Sequence, residues 1–151
     1  MSIHFSPQRW EKVKSNHRKW WSGELKRPLI AVTLSGYEAD RPEPSVPAHN
    51  YASYYDRTVT PDQIVDRWDH ELSTYRYLGD AFPTKWLNFG PGVVAALTGC
   101  ELHNDNRTVW FHAPRKQEIA DLQIRYDEKA YWFKRIATLA KAAMDRSQGT
   151  V

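Results

Sequence analysis

The residues best placed to do chemistry stand in one stretch, Lys85-Trp-Leu-Asn-Phe-Gly-Pro-Gly-Val-Val-Ala-Ala-Leu-Thr-Gly-Cys100. Asn88 ends a run of strand formers and precedes a glycine-rich turn. Its amide offers both donors and an acceptor at a strand's end, where α/β proteins usually meet their ligands. Gly90 and Gly92 allow φ > 0 and let the backbone approach a bound molecule, while Pro91 has no N–H to pair and stops the strand. Trp86 and Tyr37 are candidates to wall such a pocket, although Trp86 could face the core instead. The competing role for Asn88 is to cap the glycine turn through its own side chain.

Other spacings are weaker. Asp66 and His70 lie one helical turn apart, a carboxylate–imidazole spacing that suits a metal, but a third ligand is missing and an exposed side-chain pair explains them better. Cys100 and His103 have the two-residue gap of some zinc sites, with no second such pair to complete one. His17 sits on an apolar helical stripe, where a histidine is generally a packed, hydrogen-bonded residue.

The elements that must position these residues follow from periodicity and punctuation. Ser6-Pro7 starts a helix whose stripe is Trp10, Val13, His17, Trp20 and Trp21, and Gly23 ends it. Leu29-Ile-Ala-Val-Thr-Leu34 is an unbroken apolar run and predicts a strand buried on both faces of a parallel sheet. Ser35-Gly36-Tyr37 would then lie on the same rim as Asn88. Residues 38–59 form a long connection in which Arg41-Pro-Glu-Pro-Ser-Val-Pro47 is neither helix nor central strand. With Tyr51, Tyr54 and Tyr55 it is either pinned to the body, a ligand cover or a dimer contact.

Thr60-Pro-Asp-Gln63 predicts a capping box for a helix burying Ile64, Val65, Trp68, Leu72 and Tyr75 and stopping near Gly79. In the central stretch, residues 86–89 read as a second buried strand and Val93–Leu97 as a short helix ended by Gly99. Residues 101–112 predict a hairpin turning at Asn104-Asp105-Asn106. Residues 113–125 are polar, with room for one helical turn. A last helix runs from Glu128 to about Gln148, capped by Asp127 and ended by Gly149. It buries Tyr131, Phe133, Ile136, Ala137, Ala140, Ala143 and Met144. Thr150-Val151 reads as the start of another strand.

Composition bounds the rest. The 151 residues form one domain able to bury a core; 41% are hydrophobic and 26% charged. Seven Trp and eight Tyr are more aromatic surface than a small core needs, so some line a cleft or an interface. A net charge of +3, with acids interleaved among the bases, lacks the focused basic face of a nucleic-acid binder. The longest apolar runs are too short to cross a bilayer. The single cysteine and the absence of an apolar leader point to a reducing, cytoplasmic setting.

Arg27-Pro28-Leu-Ile-Ala-Val, then Trp86-Leu-Asn88-Phe-Gly90-Pro91-Gly92, then Ala95-Ala-Leu-Thr-Gly99-Cys-Glu101 with Thr108-Val-Trp-Phe111, resemble the uroporphyrinogen decarboxylase-like superfamily, and more closely its uncharacterised bacterial branch. That superfamily also holds corrinoid methyltransferases. The resemblance implies a (β/α)8 barrel of at least about twice this length. This chain would supply its N-terminal portion: a first helix, two buried strands, a hairpin and three main helices in all. The order of elements by itself leaves two readings, the N-terminal part of a longer α/β protein or strands that pair across a homo-oligomer.

Two departures argue against porphyrinogen decarboxylation. The arginine-rich loop that holds substrate carboxylates in decarboxylases is replaced by Thr33-Leu-Ser-Gly-Tyr37, and Asn88 stands where they place an aspartate. The resemblance implies methyl transfer or other lyase chemistry on a small-molecule or tetrapyrrole- or corrinoid-linked substrate. Asn88, Gly90, Gly92, Tyr37 and Trp86 would form the binding rim; catalytic residues stay unassigned. No cofactor is expected within this chain. Zinc and a corrinoid, with a corrinoid protein as partner, are implied for a full-length methyltransferase. The isolated chain is expected to be inactive. The alternative is a non-enzymatic small-molecule or carbohydrate-binding module that uses the loop from Tyr51 to Tyr55 with Trp20, Trp21 and Trp110.

Overall fold

Ser6 and Pro7 begin helix α1 (Pro7–Trp21) as their chemistry requires: the Ser6 hydroxyl accepts the Arg9 N–H and proline takes the first turn. In this computed structural model, which describes residues 3–105, 107–116, 118–121 and 123–148, the elements that follow are β1 (Ala31–Leu34), α2 (Pro61–Ser73), β2 (Arg76–Gly79), α3 (Val93–Ala96), β3 (Glu101–Asn104), β4 (Val109–His112) and α4 (Tyr131–Ser147). Short 3-10 turns occupy Ala52–Tyr54 and Ile119–Asp121. The chain mixes helix with two small antiparallel sheets, β1–β2 and β3–β4.

The first strand departs from expectation. It pairs antiparallel with β2, not in a parallel sheet, and all four of its residues are exposed. An apolar run reports only that a segment wants cover; the partner strand decides what it receives. That partner comes from the expected end of α2. The helix stops at Ser73 because the Ser73 and Thr74 hydroxyls donate to the His70 and Glu71 carbonyls, and Thr74 takes the C-cap. Gly79 therefore closes a strand instead of a helix. Its φ of +62° brings it so close to β1 that an added Cβ would lie 2.0 Å from the Ile30 oxygen.

The second expected strand is also absent. Residues 86–89 join no ladder: the Asn88 N–H donates to the Trp86 carbonyl at 2.8 Å, and the Asn88 carbonyl accepts from the Ala52 N–H. The local turn and the 50–52 loop consume the groups a neighbouring strand would need. Of this run, Phe89 is buried and Trp86 is 78% exposed.

Other expectations hold. Thr60 and Gln63 form the capping box of α2, with both reciprocal bonds present. The hairpin pairs Glu101 with His112 and Asn104 with Val109. Of its expected turn, Asn106 lies outside the described residues, as do Gly149 and Thr150-Val151.

The core packs α2 against α4. Ile64, Val65 and Trp68 meet Trp132 and Leu139, with Phe89 and Ala96 from the central stretch. The buried face of α4 agrees in part with the one expected: Tyr131, Ile136 and Ala143 pack against the core, but Trp132, Arg135 and Leu139 are its buried residues, and Ala137 and Met144 are exposed. A buried arginine in the middle of the face hides it from a count of apolar spacing. Asp127 caps only the turn before the helix, accepting from the Lys129 N–H. On α1, Val13 is buried and Trp10 packs edge-on against Phe5 and Phe82, but Trp20 and Trp21 pack on each other and face outward.

Candidate functional site

A cleft of about 520 Å³ opens where the 48–52 loop crosses the C-terminal half of α2. The loop contributes His49 and Asn50, the helix and its exit contribute Trp68, Glu71 and Tyr75, and the central stretch contributes Lys85, Trp86 and Asn88. That volume falls in the range of small-molecule sites.

The loop reaches this position because arginines hold it. Arg67, buried on α2, donates to the Val46 and Pro44 carbonyls and pairs with Glu43 at 3.0 Å. Arg41 pairs with Asp69 at 2.5 Å. The tyrosines fix the far side: the Tyr54 hydroxyl donates to the Thr108 carbonyl, and His49 packs edge-on against Tyr54 and Tyr55. Tyr55 is buried, and that burial pushes its phenol pKa up. The proline-rich connection is thus pinned to the body as a fixed roof.

Beneath it, Lys85 and Glu71 form an ion pair at 2.5 Å, with the ammonium 5.6 Å from the centre of the Trp68 ring. Both side chains are about a quarter exposed, enough to reach a ligand. An ammonium carries three donors and a carboxylate several acceptor sites, so the pair keeps capacity for a third polar group. Lys85 also lines two neighbouring cavities of about 250 and 260 Å³, the first mainly apolar and set between α2 and α4.

Asn88 borders the cleft with its side chain already engaged. Its Oδ1 accepts the Gly90 N–H at 3.0 Å, the turn-capping bond, and its Nδ2 donates to the Asn50 carbonyl at 3.3 Å. It clasps the roof to the glycine turn and retains one N–H and one lone pair. Gly90 and Gly92 face the hairpin. A Cβ on Gly90 would come within 2.7 Å of Val109, and one on Gly92 would touch Phe111 at 3.5 Å. Trp86 presents an exposed indole at the cleft edge. Tyr37 lies elsewhere, under the Arg76 guanidinium at 4.4 Å. The structure therefore gathers Asn88 and Trp86 and leaves Tyr37 apart.

The motif readings resolve plainly. Asp66 pairs with Arg146 of α4 at 2.5 Å, not with His70. His17 packs on Phe82 and its Nε2 lies 3.2 Å from the Asp80 carbonyl. Cys100 N–H bonds the Ala95 carbonyl behind α3. Among the described residues, no set of three or more His, Cys, Asp or Glu side chains is gathered around one point, and no helix is long and apolar enough to cross a membrane.

Sequence reasoning missed Lys85, Glu71, Tyr75 and His49 as partners in one cleft. Lys85 opens the central stretch, but nothing in its neighbours announces a glutamate fourteen residues earlier on another element. Comparison of the chain with family models, curated proteins and solved structures finds no match.

Proposed function

We propose that this chain binds a small organic molecule in the cleft under the 48–52 loop, as the N-terminal part of a uroporphyrinogen decarboxylase-like protein acting in methyl transfer or lyase chemistry. One observation carries the binding reading: an exposed indole, a lysine and an asparagine of the central stretch share one cleft of ligand size with a glutamate of α2 that pairs with the lysine. Trp86 supplies a flat apolar face for a ring, and Lys85 with Glu71 supplies a donor and an acceptor for its polar substituent. Asn88 acts here by holding the roof and by its one remaining N–H.

The zinc ligands that the resemblance implies, a His-x-Cys pair and a later cysteine, belong to the second half of the barrel and not to the portion this chain would supply. No step of the reaction is therefore assigned to zinc on these residues.

The test is an NMR titration of the 15N-labelled chain with small probes, benzoate and imidazole acetate, and with hydroxocobalamin. Saturable shifts at Lys85, Trp86 and Asn88 that vanish in Lys85→Met, and persist when Tyr51, Tyr54 and Tyr55 are changed to alanine, are expected. Shifts confined to the tyrosine loop would favour the aromatic binding module instead. Absence of any saturable shift would remove the cleft as a site.

A further inference from the structure

The β3–β4 hairpin has two unlike faces. Leu102 opposite Phe111 and Asn104 opposite Val109 form the inner one: Val109 is buried and Phe111 packs on Trp132. Glu101 opposite His112 and His103 opposite Trp110 form the outer one, and all four of these residues are exposed. His103 and His112 are diagonal neighbours there, with ring centroids 5.0 Å apart and planes at 80°.

That separation is informative. Two imidazoles bound to one tetrahedral ion at metal–nitrogen distances of about 2.0–2.1 Å have their centroids roughly 5 Å apart. Histidine χ2 is a broad torsion, so the two rings are free to reorient toward a shared ion without moving the backbone. We propose that His103 and His112 form a cross-strand chelate for a late first-row divalent ion, such as zinc, nickel or copper. Neutral imidazole is the ligand type these ions share. Among the described residues, the two imidazoles are the only protein ligands the hairpin gathers there, and water completes the coordination.

This site is distinct from the Cys100–His103 spacing. An odd separation along an extended run sends those two side chains to opposite sides, whereas His103 and His112 share a face. It is also separate from the Asn88 cleft, to which it connects only mechanically. The hairpin's inner face rests on Gly90 and Gly92, so an ion that bridges β3 and β4 stiffens the wall behind the glycine turn.

Calorimetric titration of the chelator-treated chain with zinc chloride and nickel chloride, alongside NMR of the imidazole Cε1–H signals, tests the proposal. One ion per chain is expected, with both the His103 and His112 signals shifted. His103→Ala and His112→Ala should each weaken binding at least about tenfold, since each removes one of two protein nitrogens. Cys100→Ser and His70→Ala should leave affinity unchanged. The ion should raise the thermal midpoint of the parent chain and not that of the double histidine variant. Because both histidines are exposed, the variants should retain the parent circular dichroism spectrum; His103→Gln serves as the replacement if one does not. Undetectable binding at millimolar ion, binding that survives in the double variant, or equal loss in Cys100→Ser would each overturn the assignment.

Discussion

Asp80 concentrates more interactions than any site residue described above. Its carboxylate is buried and takes both Arg27 guanidinium nitrogens, at 2.6 and 2.9 Å, together with the Ile30 N–H and the Asn16 amide. These bonds tie α1, the approach to β1 and the end of β2 to one side chain. The Arg27 hydrogen bonds hold the Asp80 carboxyl far below the ordinary carboxylate range. The sign of the pH dependence follows. As pH falls, the unfolded chain takes up its proton first, near its ordinary pKa of about 3.9, so stability present above that pH is lost below it. Asp80→Asn should lower the unfolding free energy at neutral pH by about 2–4 kcal/mol, and urea melts should then depend less on pH between 5 and roughly 2.5. Trp86 predicts the opposite pattern. At 78% exposure its change to alanine should move stability by less than about 0.5 kcal/mol while abolishing ring binding in the cleft.

At the scale of elements, two local devices set the site's frame. The capping box of α2 satisfies backbone donors at the start of the helix that carries Trp68 and Glu71. Thr60→Ala should cost about 1 kcal/mol, read as a lower urea midpoint with an unchanged slope. Gly90 is the tighter constraint. It combines a φ of +93° with a position where an added Cβ would lie 2.7 Å from the Val109 side chain. Gly90→Ala should cost about 2–4 kcal/mol and separate the hairpin from the turn, visible as lost amide-exchange protection at Phe111 and Asn88.

At the scale of the whole molecule, the β1–β2 ribbon leaves an apolar face uncovered. Val32 and Leu78 stand opposite each other, Ile30 and Leu34 extend the same face, and all four are exposed. β1 itself carries no charge and no proline to blunt its open edge. Concentration-dependent association through this ribbon is expected in sedimentation experiments, and Val32→Lys should suppress it without altering the ion titration of the hairpin. Loss of association with Val32→Lys but not with Trp21→Ala would locate the contact on the ribbon.

The elements legible in the sequence were those whose signals are local. Ser6-Pro7, the Thr60–Gln63 box and the hairpin of residues 101–112 depend on hydrogen bonds between residues a few positions apart, and each stands where expected. Asn88 was legible as a position, and its turn-capping bond to Gly90 is local as well. Tertiary structure alone decided the rest. Leu29–Leu34 needed a partner, and which one it found depended on hydroxyls that ended α2 early and freed residues 76–79 to pair with it. Residues 86–89 had strand composition, but the 50–52 loop claimed the Asn88 carbonyl and the ladder never formed. The cleft itself joins Glu71 to Lys85 and the 48–52 loop to both. Contacts between segments far apart in the chain leave no spacing to read, because only the folded path brings them within reach.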